Sequence, residues 1–369
     1  MRVLIIGGYG NFGGRLVDLL SDEKRLTLIV AGRDFDSAER FCAARRGCAA
    51  NLLSAKFDRA NPESTIGELK PDVVVDAAGP FQLYGSDPYR TARAALAHGA
   101  SYIDLADGLD FVRGIGVLDN EAKTAGQFVL SGASSFPVLT AAVVRRLQSL
   151  VPEIDSIVAG IAPSPFARVG LNVVRAIASY AGKPIRVRDE GTWVTRYGLI
   201  SSRRLTIAPI DCAPLPPIRF ALVEVPDLIV LAEDWPLAKT IWMGAGPTPA
   251  LLHRMLWLAA WSVRLRILPT LLPLAPLMDW AVNTFRWGQH RGGMLVAVAG
   301  GGRAASWHMI AEGDIGPFIP SMAIEAILRK CFDGVAPAAG VRPAHHDLEL
   351  SDYEGMFARR GVVTSTRTG

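Results

Sequence analysis

The stretch Val3-Leu4-Ile5-Ile6-Gly7-Gly8-Tyr9-Gly10-Asn11-Phe12-Gly13 decides the fold. Residues 3–6 are an unbroken aliphatic run, the pattern of a strand buried on both faces of a parallel sheet. Residues 13–20 then carry helical apolar spacing, and between the two Gly8, Gly10 and Gly13 give the spacing G-x-G-x-x-G. In a strand-turn-helix setting these glycines allow a tight turn, close approach of backbone N–H groups to a pyrophosphate, and close helix-on-strand packing. The helix N-terminus adds a favourable field for the anion. Gly7, Gly8, Tyr9, Gly10, Asn11, Phe12 and Gly13 are therefore the expected dinucleotide-binding loop. The competing reading, a purely structural glycine turn, is disfavoured by that context.

Moving outward, apolar runs at 27–31, 73–77, 101–105 and 127–130 alternate with helical spacing at 37–46, 62–69, 89–98 and 111–125. That alternation predicts an α/β fold, a Rossmann doubly wound parallel sheet. Asp87 before Pro88 reads as an N-cap and first helical residue, with Gly99 closing that helix. After the second run, where a NAD-preferring site places an acid on the ribose 2′-hydroxyl, the chain has Arg33 followed by Asp34. A guanidinium can clamp a 2′-phosphate bidentately, so NADP is expected over NAD. The alternative leaves Arg33 solvated and gives the ribose to Asp34.

Beyond residue 130 the pattern changes. A helix is expected at about 137–150 and a strand at 156–162. Short strands follow near 185–188, 203–207 and 228–231, then helices at about 248–268 and 270–285. A hairpin pairing 293–299 with 305–311 precedes a helix at 319–332 that stops at Gly334. The polar tail, 335–369, reads as surface or disordered chain. At roughly 150 residues per domain, 369 residues make two. The expected division is 1–135 for the dinucleotide domain and 136–317 for a substrate or dimerisation α+β domain. Residues 318–369 form a C-terminal helix and tail packing back on the first.

Half the residues are hydrophobic and a fifth charged, which excludes a disordered or coiled-coil chain. The four cysteines form no C-x-x-C pair, so neither zinc nor a disulfide scaffold is expected, and reduced thiols fit a cytoplasmic protein. The apolar run at 3–6 falls far short of a signal-peptide core, so no export is expected, and the longest uncharged apolar stretch in the C-terminal half, 267–278, is too short and too proline-rich to span a bilayer. The net charge of +4 is unevenly spread. Residues 236–311 hold seven basic side chains, one acid and six of the eight tryptophans. Because the interleaved residues are apolar, nucleic acid is not the expected partner. A peripheral membrane contact through 250–287 and a core or dimer interface both remain open.

No tyrosine has a lysine four residues on, so the acid/base pair of short-chain dehydrogenases is absent. The motifs Asp76-Ala77-Ala78-Gly79-Pro80-Phe81, Tyr84-Gly85, His98-Gly99-Ala100-Ser101-Tyr102-Ile103-Asp104-Leu105 and Ser131-Gly132-Ala133-Ser134-Ser135-Phe136-Pro137 join the glycine loop and Arg33. Together they resemble the saccharopine dehydrogenase-like family of NADP-binding oxidoreductases over about the first 140 residues. A weaker echo lies in the turn Gly313-Asp314-Ile315-Gly316-Pro317. The resemblance implies a Rossmann domain, an inserted second α/β domain whose sheet faces the nicotinamide, and C-terminal helices returning to the first domain. Members of the family include reductases that join an amine to a carbonyl and enoyl reductases acting on lipid intermediates. The second domain here, rich in Leu, Trp and Pro, departs from the amino-acid enzymes.

Ligands of open α/β sheets bind beyond the carboxyl ends of the strands, so Ala78, Gly79, Pro80 and Phe81 should wall the nicotinamide. Asp58 completes the expected cofactor contacts. Tyr84 and Asp104 are the expected proton donor or orienter. Against that, Tyr84 could simply pack, and Asp104 and Asp107 could cap turns. Ser134 and Ser135 read as N-cap residues, and His345-His346 as a solvated pair with no metal. The expected function is an NADP-dependent oxidoreductase with a small, apolar or lipid-linked substrate, in a homo-oligomer. The alternative is a catalytically silent dinucleotide-binding sensor or scaffold at a membrane surface.

Overall fold

The aliphatic runs become the strands of a parallel sheet in the computed structural model, which describes residues 1–247 and 249–369. The strands are β1 (Arg2–Ile6), β2 (Thr27–Gly32), β3 (Asn51–Lys56), β4 (Val73–Asp76), β5 (Ser101–Asp104) and β6 (Phe128–Ser131). Their order is β6-β5-β4-β1-β2-β3. The intervening helices are α1 (Asn11–Leu20), α2 (Phe35–Ala43), α3 (Pro62–Leu69), α4 (Arg90–Ala97), α5 (Leu109–Gly114) and α6 (Asp119–Ala125). β1 is flanked on both sides, and accordingly Val3, Leu4 and Ile5 are fully buried. This is the Rossmann order, with the strand sequence reversing between β1 and β4.

Three local features differ from the expected pattern. β3 was not expected: NLLSAK has no β-branched residue, and on the sheet's edge only its Ala55 is buried. The helix expected over 111–125 is broken by a 3₁₀ turn at Ile115–Leu118, flanked and punctuated by Gly114 and Gly116. α4 starts at Arg90, not at Pro88, and the Asp87 carboxylate pairs with Arg93 at 3.2 Å rather than capping the helix.

The second unit, Leu139–Pro317 with Glu349–Gly369, is built on a mixed sheet. In chain order its first elements are α7 (Thr140–Gln148), β7 (Ser156–Ala162), α8 (Leu171–Tyr180), β8 (Pro184–Asp189), β9 (Thr192–Tyr197), β10 (Ser202–Leu205), β11 (Ile218–Leu222), α9 (Asp227–Asp234) and β12 (Thr240–Ala245). α10 (Ala250–Arg264), α11 (Ala275–Thr284), β13 (Arg291–Gly300) and β14 (Arg303–Glu312) follow. β7 runs parallel to β12 and antiparallel to β13. The strand expected at 228–231 is instead part of α9. A four-residue apolar run fits either element, and Pro226 with Asp227 supplies a helix start that decides it. Thr248, the expected first residue of the next helix, lies outside the described residues.

The chain then re-enters the first unit, which comprises Met1–Val138 and Phe318–Leu348. α12 (Ile319–Phe332) packs on α1, where Ser321 Oγ donates to the Phe12 carbonyl at 3.0 Å. β15 (Gly340–Pro343) adds a seventh strand parallel to β6. The tail assigned to the first domain divides: α13 (Leu350–Arg359) and β16 (Val363–Thr368) belong to the second unit, where β16 pairs antiparallel with β14. Its polar composition hides an amphipathic helix with Leu350, Tyr353, Met356 and Phe357 buried on one side. A capping box between Glu349 and Asp352 starts it. His345 is buried rather than solvated, with its ring 4.0 Å from that of exposed His346.

Candidate cofactor site

The glycine loop is held by its own backbone. Gly7 N–H donates to the Ala31 carbonyl at 2.8 Å and Gly10 N–H to the Gly7 carbonyl at 2.8 Å. Gly7 has φ +74°, a conformation that favours glycine. A Cβ on Gly8 would stand 2.8 Å from the Ile5 carbonyl oxygen, and one on Gly13 would collide with the Gly7 carbonyl. Gly10 is the N-cap of α1, with no side-chain cap and no acid in the first turn. The helix therefore offers its first N–H groups and positive end to an external anion. Neighbouring side chains are otherwise engaged: Arg15 donates to both the carbonyl and the Oδ1 of Asn11, and the Phe12 carbonyl accepts from Ser321.

At the end of β2, Tyr9 lies over Gly32, where any Cβ would meet its ring, and its hydroxyl accepts the Asp34 N–H at 3.1 Å. Arg33 is exposed, with no ion-pair partner among the described residues. The Asp34 carboxylate is committed to capping α2, accepting from Ser37 Oγ at 2.6 Å and Ser37 N–H at 3.3 Å. Those bonds hold its pKa below the ordinary value. Asp58 is exposed in the turn after β3 and accepts the Ala60 N–H at 2.9 Å.

Beyond β4 and β5 the structure brings together a polar cluster that sequence reading captured only in part. The buried Asp76 carboxylate takes Arg59 Nη2 at 2.8 and 3.0 Å, the Tyr84 hydroxyl at 3.2 Å and the Ala78 N–H at 3.1 Å. The Arg59 guanidinium lies 3.7 Å from the centre of the Tyr84 ring. Tyr84 also stacks on Phe81 at 4.7 Å and meets Phe111 edge-on. Burial, with the Asp76 charge adding to it, raises the Tyr84 pKa well above its ordinary value, so the phenol stays protonated and aims its hydrogen at Asp76. Ala78, Gly79 and Pro80 are half-buried between these groups. Arg59 was missed because its partner is 17 residues away and the strand leading to it was itself unrecognised.

Asp104, fully buried at the end of β5, gathers three donors on Oδ1: Gly132 N–H at 2.8 Å, Ala106 N–H at 2.9 Å and Ser131 Oγ at 3.0 Å. Oδ2 has no partner among the described residues. Burial pushes its pKa up to about 7, with the three donors opposing the rise. Asp107 is half-buried, accepts from Gln82 Nε2 at 3.1 Å, and is likewise raised by burial.

No curated protein matches this sequence. Solved structures with similar chain paths include DAP dehydrogenase from C. glutamicum in complex with DAP (TM-score 0.46, 14% identity, 96% of this chain and 98% of that one). A dehydrogenase from Clostridium difficile is 9% identical with a TM-score of 0.42 over 92% of each chain. The WlbA dehydrogenase from Thermus thermophilus in complex with NAD and UDP-GlcNAcA is 12% identical, with a TM-score of 0.42, over 92% of this chain and 90% of that one. At that distance these likenesses bear on neither substrate nor chemistry. The sequence itself is more specific: residues 3–131, which span the glycine loop, Arg33, Tyr84 and Asp104, match the family described as the saccharopine dehydrogenase NADP binding domain, and the first unit is accordingly a nicotinamide-dinucleotide domain of the oxidoreductase kind.

Proposed function

We propose that the protein is an NADP(H)-dependent oxidoreductase acting on an apolar substrate. The observation that carries the cofactor choice is the contrast at the end of β2, where the Arg33 guanidinium has no ion-pair partner among the described residues and the Asp34 carboxylate is spent on capping α2. Residues 7–13 would hold the pyrophosphate, Arg33 the 2′-phosphate, and residues 78–81 the nicotinamide side. When bound, NADP(H) supplies hydride transfer. The uncapped end of α1 offsets the pyrophosphate charge, while Phe81, Tyr84 and Phe111 form an apolar wedge that keeps water from the loop after β4.

Tyr84 and Asp104 read best as positioning residues, since the hydroxyl is turned to Asp76 and the carboxyl ties the turns after β5 and β6 together. The six tryptophans and single acid within 236–311 support an apolar substrate. The test is turnover. Apolar enoyl, carbonyl and imine compounds, together with any ligand that co-purifies, are offered with NADPH, and nicotinamide fluorescence is followed alongside product mass. Protein-dependent NADPH loss matched by a product two hydrogens heavier supports the reading. Tight NADPH binding with no turnover across all three classes would replace it with the silent dinucleotide-binding alternative.

A further inference from the structure

Eleven of the twenty exposed large apolar side chains among the described residues fall between positions 251 and 287, a tenth of the chain. On α10 they are organised. At about 100° per residue, Leu251, Met255, Leu258 and Leu265 share an arc of roughly 80° opposite the buried His253, Ala260 and Val263. Arg254 borders that stripe, exposed Trp257 lies further round the helix toward the buried side, and the turn beyond α10 exposes Arg266 and Ile267. From 250 to 278 there is no Asp or Glu. Arg254 and Arg266 have no carboxylate partner among the described residues, while Arg264 lies over the Tyr197 ring at 4.2 Å.

We propose that α10 and the turn after it dock this protein on the surface of an anionic lipid bilayer. The pattern is that of a helix lying in the interface: an apolar stripe for the acyl boundary, an exposed indole on its flank, and guanidiniums for the headgroups. α10 has 15 residues, and no helix among the described residues is long and apolar enough to cross a membrane. Charge decides against a second copy of the chain as occupant. A two-fold contact sets the patch against itself, which would bring the arginines of one copy against those of the other with no carboxylate in the stretch to separate them. A phosphate-rich surface takes the same arginines favourably. Docking through α10 does not depend on cofactor binding by the first unit.

The test is co-sedimentation of the full chain with vesicles of phosphatidylcholine alone and of phosphatidylcholine mixed with phosphatidylglycerol, at low and moderate salt. Binding is expected to the mixed vesicles only and to weaken with salt. Each arginine near an anionic surface contributes about fivefold, so Arg254→Glu with Arg266→Glu should lower partitioning on the order of 20-fold or more. Leu251→Asp with Leu258→Asp should abolish it. Both pairs stand on exposed positions and should leave NADPH affinity and melting temperature unchanged. Equal binding to both lipid compositions, no binding at low salt, or a dimer that Leu258→Asp dissociates would each overturn the proposal.

Discussion

Arg33 and Asp34 are adjacent, oppositely charged and both exposed, yet their surroundings give them different work. Asp34 is satisfied within its own helix, so Asp34→Ala should lower stability through loss of the N-cap and leave NADPH affinity nearly unchanged. Paired urea denaturation and cofactor titration measure both effects, and a large affinity loss would return the ribose to Asp34. Asp104 has the opposite problem, a carboxyl buried deeply enough to rise from 3.8 to about 7. Between those values the folded chain holds a proton that the unfolded chain has released, so stability falls as pH rises from about 4 to 7 and the penalty is complete above 7. Asp104→Asn keeps an acceptor for Ser131, Gly132 and Ala106 without the charge. It should flatten that slope in denaturation curves taken across the window, leaving the parts that Asp227, also raised to about 7 by burial, and Asp107, likewise raised by burial, contribute. An unchanged slope would mean that Asp104 ionises normally.

At the scale of elements, α13 offers a direct check on packing. Tyr353 is fully buried against Phe357, its hydroxyl has no partner among the described residues, and burial pushes its phenol pKa up. Removing an unsatisfied buried hydroxyl relieves a desolvation cost, so Tyr353→Phe should be neutral or stabilising by about 1 kcal/mol, read as a melting temperature that holds or rises. A clear fall would reveal a partner for the hydroxyl. The same helix marks where sequence reading stopped short. β1, β2 and β4 were legible because burial on both faces demands continuous aliphatic runs. α13 was concealed by the charged residues between its buried positions, and β3 by an edge position that demands little of its side chains. The run at 228–231 was legible as buried but not as helix, since four residues carry no period and only Pro226 and Asp227 break the tie.

Across the whole molecule, legibility follows locality. The glycine loop is contiguous, its constraints act within a few residues, and the sequence states them outright. The Arg59–Asp76–Tyr84 cluster exists only because the parallel topology brings the C-terminal ends of β3 and β4, with β1 and β2 between them, to the same edge of the sheet, so no spacing in the chain announces it. The claim that organises the rest is that the first unit selects NADP(H) through Arg33. Calorimetric titration of NADPH and NADH into the parent protein and into Arg33→Ala tests it most directly. A charge-assisted bidentate contact is worth about 1.5–3 kcal/mol, so NADPH should bind the parent roughly tenfold or more tightly than NADH, and Arg33→Ala should bring the two together by weakening NADPH alone. Equal affinities in the parent, or a preference that survives the loss of Arg33, would contradict it.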